Sequence, residues 1–160
     1  MLDLLESTAM ATWVKESWGW PLALTFHAFG NAIIIGVIFI IAMRLMGLFR
    51  TMPYTAINRL IPLIWIGLVC QAGSGFLLWS SKPARYLADG LFEWKLAFVI
   101  GGSVATYFFY KMSLREAAGW QAAGTVNSKV VRFGAITALL WAGVLVMGRL
   151  TAYLGQLYHA

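Results

Sequence analysis

The chain has 160 residues, 61% of them apolar and 11% charged, with a formal net charge of +6. Soluble globular domains carry about 25% charged residues, so this composition excludes an ordinary water-soluble domain and points to the lipid bilayer. The basic residues stand singly between apolar runs instead of forming a patch; that pattern excludes nucleic acid as a partner and suits the membrane rule for Lys and Arg.

The N-terminus reaches Glu6 without a basic residue, unlike a cleaved signal peptide, so the first span is the expected insertion signal. Leu2, Leu5, Ala9 and Trp13 recur at helical spacing while Asp3, Glu6 and Lys15 stay polar. This predicts a short interfacial helix over about 3–16. Four apolar stretches follow, each near the 20 or so residues that cross a bilayer. They cover about 20–43, 60–79, 91–110 and 131–157. Pro21 and Pro62 fall in the first turns of the first two spans, where a missing N–H matters least. The lone cysteine, Cys70, lies in an apolar run, so a buried inert thiol is expected, with no disulfide or Cys-Cys zinc site. Glycines within the spans allow close helix approach, and Gly73-Ser74-Gly75 and Gly101-Gly102-Ser103 are expected to meet. The fold class is all-α, a four-transmembrane-helix bundle forming one domain.

Orientation follows from charge. The connections after spans one and three hold Arg44, Arg50, Arg59, Lys111, Arg115, Lys129 and Arg132; the opposite side holds Lys15, Lys82, Arg85 and Lys95. The richer side belongs in the cytoplasm, which puts both termini outside, in the periplasm of a bacterial inner membrane. Trp13, Trp18, Trp20, Trp79 and Trp94 gather at that outer boundary, as interfacial rings do.

Polar groups inside a membrane are costly and turn toward the bundle interior. At about 1.5 Å per residue, His27 lies roughly 10 Å below the outer end of span one. Gln71 and Ser74 in span two, Lys95 in span three, and Arg149 and Tyr153 in span four fall in the same outer third. The inner half reads as dry. His27, Gln71, Lys95, Arg149 and Tyr153 are therefore the expected lining of one outward-opening pocket. Each also has a structural role open to it: Lys95 snorkelling to headgroups, Arg149 pairing with Glu93, and His27 bonding a neighbouring helix.

The expected role is redox, electron transfer by a b-type haem held in this pocket; a quinone- or lipid-binding protein and a non-enzymatic accessory subunit are the alternatives. A b-type haem would take His27 as axial ligand, with Arg149 and Lys95 meeting its propionates; Met147 and His159 are the candidates for a second ligand. A quinone, or another lipid-soluble molecule with a polar head, would accept hydrogen bonds from His27, Gln71 and Tyr153. An accessory subunit would use the same groups for a lipid phosphate, for other membrane subunits or for a homodimer. Copper handling is weaker, because Met43, Met46, Met52 and Met112 lie on the opposite side from His27. Ion transport needs a polar path that the dry inner half does not provide.

The stretch Trp18-Gly19-Trp20-Pro21-Leu22-Ala23-Leu24-Thr25-Phe26-His27-Ala28-Phe29-Gly30 resembles the opening of an uncharacterised bacterial family of four-helix inner-membrane proteins. Arg44-Leu45-Met46-Gly47, Pro62-Leu63-Ile64-Trp65-Ile66-Gly67 and Gly148-Arg149-Leu150-Thr151-Ala152-Tyr153 look like the same group. The resemblance implies a fold and topology and directs attention to His27 and Arg149. More distantly, the span-one histidine is similar to that of copper-resistance D proteins and membrane b-type cytochromes. The paired histidines of the cytochromes are missing here.

Overall fold

The computed structural model describes residues 2–87 and 90–157, and all of its regular structure there is helical. Two short helices, α1 (Leu2–Glu6) and α2 (Ala9–Glu16), precede α3 (Gly19–Leu45). A 3-10 turn at Tyr54–Ala56 leads into α4 (Ile57–Ser81), and the short α5 (Pro83–Leu87) precedes α6 (Leu91–Ala123) and α7 (Ser128–Leu157). α3 packs most extensively on α4, and α6 on α7. A further α3–α7 contact joins the two hairpins. Three helical stretches, Gly19–Leu45, Tyr54–Ser81 and Ser128–Tyr153, are long and apolar enough to cross a membrane. α6 is the longest helix, but Glu93, Lys95 and Lys111 dilute its apolar run, and it is not among the three.

Several boundaries differ from the sequence reading for local reasons. The N-terminal helix breaks at Ser7–Thr8, because both hydroxyls donate to carbonyls of the preceding turn (Leu4 and Leu5). Thr8 then caps α2 by accepting from the Ala11 N–H. α2 does not simply lie on a surface: Ala11 and Val14 are fully buried, and Gly19 passes close under Trp13 and Val14. α4 starts at Ile57, so Pro62 sits in its second turn and removes a backbone bond to Asn58. α6 overruns its expected end by about three turns. Ser113, Ala117 and Trp120 continue its buried face until Gly124 stops it at φ +68. α7 begins three residues early because Asn127 caps it through Oδ1 to the Lys129 N–H (2.9 Å).

The bundle closes on small residues, though not the pair expected. A Cβ on Gly30 would lie 2.7 Å from the Gly67 carbonyl oxygen, and one on Gly67 3.0 Å from the Gly30 carbonyl oxygen. The backbones of α3 and α4 therefore touch there, the only way helices gain tight dispersion contact where lipid is as apolar as leucine. Gly102 instead lies under the Trp141 indole, Gly143 under Phe98, and Gly73 faces open space. Inward of the Gly30–Gly67 contact, Ile34, Ile38, Ile41, Ile57, Ile61 and Ile64 form a dry seam. Trp141 Nε1 donates to Thr106 Oγ1 (3.0 Å), satisfying two buried groups between α6 and α7. The seam ends at a buried charge: Arg44 is 6% exposed and stacks on Tyr54.

Gly30→Ala should lower the thermal stability of the detergent-solubilised chain by about 1–3 kcal/mol through overpacking. Gly73→Ala, which enters open space, should stay within about 0.5 kcal/mol. Equal losses in the two melting curves would show that the α3–α4 contact is not special.

Candidate functional site

Three helices meet at His27. One turn above the Gly30–Gly67 contact, α3 presents the imidazole toward α4 and α6. His27 Nδ1 lies 3.1 Å from Ser74 Oγ on α4, and Nε2 lies 3.3 Å from Lys95 Nζ on α6. Ser74 Oγ also donates to the Cys70 carbonyl at 2.7 Å. Gly75 gives the ring room, since a Cβ there would come within 3.2 Å of His27 Cε1. Lys95 passes beside Gly148, where an added Cβ would meet its Cε and Nζ at 3.7 Å, an ordinary van der Waals contact.

One placement of protons satisfies every member. With Lys95 protonated, its ammonium, which has donors and no acceptor, donates to Nε2. The imidazole is then neutral with its proton on Nδ1, which donates to Ser74 Oγ, and the serine proton goes to the Cys70 carbonyl. The result is a directed chain Lys95 → His27 → Ser74 → Cys70. Its cation has no carboxylate partner: Glu93 is exposed, and the ion pair among the described residues is the distant Lys15–Glu6 pair (3.2 Å).

Gln71 lies one turn deeper on the same face of α4, against Gly30. It is 5% exposed, and neither its Oε1 nor its Nε2 has a hydrogen-bond partner. A buried primary amide left without partners costs free energy. Gln71 thus puts a buried, unpartnered amide on the α4 face that carries Ser74.

The structure joins His27, Gln71 and Lys95, and adds Ser74, but it does not bring in Arg149 or Tyr153. α7 turns Trp141, Val144 and Thr151 inward, which leaves 149 and 153, four residues apart, together on an exposed face. Arg149 forms no ion pair with Glu93. Met147 is partly buried, and its carbonyl accepts from Thr151 Oγ1 (2.8 Å). His159 lies outside the described residues. Cys70 is partly exposed and directs its thiol at the Phe26 carbonyl (3.3 Å). Lys95 points inward to His27 and does not snorkel. Of the tryptophans, Trp13, Trp18 and Trp94 are exposed, as interfacial rings should be.

The haem expectation meets an obstacle in this geometry. An axial histidine needs one bare ring nitrogen and a slot for the macrocycle. Both nitrogens of His27 are engaged, the ring edge is against Gly75, and Nε2 is opposed by an ammonium. Among the described residues no three His, Cys, Asp or Glu side chains converge as a metal site. The residues as arranged do not fit an axial haem. Comparison with protein-family models, curated proteins and solved structures gives no match for this chain. The chemistry of the site therefore follows from its own geometry.

A double-mutant cycle on His27→Ala and Ser74→Ala should return a coupling of about 0.6–1.7 kcal/mol, the range for interhelical bonds within membranes. Additive melting shifts would mean that the two side chains do not interact.

Proposed function

We propose that this chain is a four-span protein of a bacterial inner membrane that binds the polar head of a lipid-soluble carbonyl compound, of the quinone class, at His27, Gln71 and Lys95. The orphaned amide of Gln71 carries this reading. A carbonyl oxygen reaching α4 from the His27 side, above the Gly30–Gly67 contact, would accept from its Nε2. A second carbonyl on the same ring would accept from Lys95, which keeps two donors beyond the one given to His27. Buried donors and an uncompensated cation suit an electron-rich acceptor and disfavour a cationic ligand.

The fourth span in this reading is α6. Ile100, Val104 and Phe108 recur every four residues on one exposed face, as a lipid-facing stripe does. The excess of Lys and Arg at the Arg44–Arg59 and Lys111–Arg132 connections supports cytoplasmic placement of that end. The site then opens toward the outer side, where a reduced or oxidised head group would meet a periplasmic or membrane redox partner.

Gln71→Leu separates binding from stability. Removing an orphaned amide should leave the melting temperature unchanged or raise it, while decyl-benzoquinone binding weakens at least about tenfold, or 1.4 kcal/mol. Unchanged quinone affinity in this variant would sink the proposal. A Soret band in the purified protein that disappears in His27→Ala would replace the quinone reading with haem. For the topology, single cysteines at Thr51 and Thr125 in a Cys70→Ser background should be labelled from the cytoplasmic side alone. Those at Ser7 and Ala84 should be labelled from outside.

A further inference from the structure

At the end of the bundle remote from His27, the Arg44–Tyr54 connection and the α6–α7 turn enclose a cleft of about 580 Å³. Arg44, Arg50, Tyr54, Gln121 and Thr125 line it. Arg44 is more than nine-tenths buried, and its guanidinium is held on two sides. Its Nε donates to the Met52 carbonyl (2.6 Å), and its Cζ stacks 3.7 Å from the Tyr54 ring centroid. Tyr54 is fixed in turn: its N–H donates to Gln121 Oε1 (2.7 Å), and its ring packs edge-on against Trp120 at 6.4 Å.

This bracing spends one edge and one face of the guanidinium and leaves Nη1 and Nη2 without a protein acceptor among the described residues. No Asp or Glu lines the cleft. Nη1 and Nη2 are not fully enclosed by protein, so the braced guanidinium offers its unpartnered edge to the cleft. The other groups offer donors as well. Arg50 uses its Nε on the Gly47 carbonyl (3.3 Å) and keeps its terminal nitrogens. Gln121, with its oxygen engaged, has only N–H groups left to offer, and Thr125 supplies an exposed hydroxyl. Left-handed glycines, Gly47 (φ +94) and Gly124 (φ +68), turn the two walls where a side chain would be strained.

We propose that this cleft binds a phosphate group, held in the fork of Arg44 and by Arg50. Planar guanidinium donors match phosphate oxygens two at a time. The group has two possible sources: the headgroup of an anionic lipid in the adjacent leaflet, where basic juxtamembrane residues concentrate such lipids, or free phosphate in the aqueous phase. The site is independent of the His27 cluster, and either can fail alone.

The test uses the full chain in an uncharged detergent. Its melting temperature is followed against inorganic phosphate, dioctanoyl phosphatidylglycerol and, as a control, dioctanoyl phosphatidylcholine. Stabilisation by phosphatidylglycerol that exceeds the control supports a lipid headgroup; stabilisation by inorganic phosphate beyond equal-strength chloride supports free phosphate. In either case Arg50→Gln, on an exposed position, should weaken the apparent affinity at least about tenfold. Arg44→Lys should do so more strongly, because an ammonium cannot replace the fork. Should Arg44→Lys fail to fold, Arg50→Gln decides alone. No stabilisation by either probe, equal stabilisation by phosphatidylcholine, or wild-type affinity in Arg50→Gln would overturn the assignment.

Discussion

The contact of the α3 and α4 backbones at Gly30 and Gly67 is the constraint from which the rest of the bundle is arranged. Inside a bilayer there is little hydrophobic gain in pressing one apolar helix on another, so association relies on close packing and on hydrogen bonds. Two glycines provide the packing. The bonds lie one turn away, where His27 reaches Ser74. Without the close approach, the imidazole could not span to α4 while still meeting Lys95 of α6. On the other side of the contact, the isoleucine seam zips the same pair of helices toward Arg44.

The charged side chains and the orphaned amide therefore lie at two ends of the bundle, separated by a middle that is apolar apart from the paired Trp141 and Thr106 and Thr137. At one end the donors form a relay that terminates in a carbonyl, with an orphaned amide beneath it. At the other, an arginine is braced by an aromatic face and a carbonyl. Both ends are rich in donors and poor in acids, which is the chemistry that the two proposed guests would need. The two clusters share α3 and α6, which carry His27 and Lys95 at one end and Arg44 and Gln121 at the other.

Much of this was legible in the residues themselves. Apolar runs of bilayer length gave the helices, and depth along each run singled out His27, Gln71 and Lys95. Depth does not give azimuth. Arg149 and Tyr153 share the depth of the cluster but lie on another face of α7, and one sequence cannot fix which face turns inward when a helix is apolar all round. The Gly73 and Gly101 pairings failed for the same reason. The Arg44 cleft was missed because its partners, Met52, Tyr54 and Gln121, come from a loop and from a helical overrun read as a connection. The signal was present in Ser113, Ala117 and Trp120, whose spacing continues the α6 stripe past Tyr110.

Lys95 and Lys111 stand on one unbroken helix, sixteen residues apart, about 24 Å along its axis. The hydrocarbon core is about 30 Å thick. An ordinary span would resolve that shortfall by letting both lysines reach for the headgroups, but Lys95 is drawn sideways to His27 and cannot act as a float. With α6 as the proposed fourth span, hydrophobic mismatch would register at its Lys95 end: a thicker membrane would submerge the amine further, and a thinner one would let water reach the histidine.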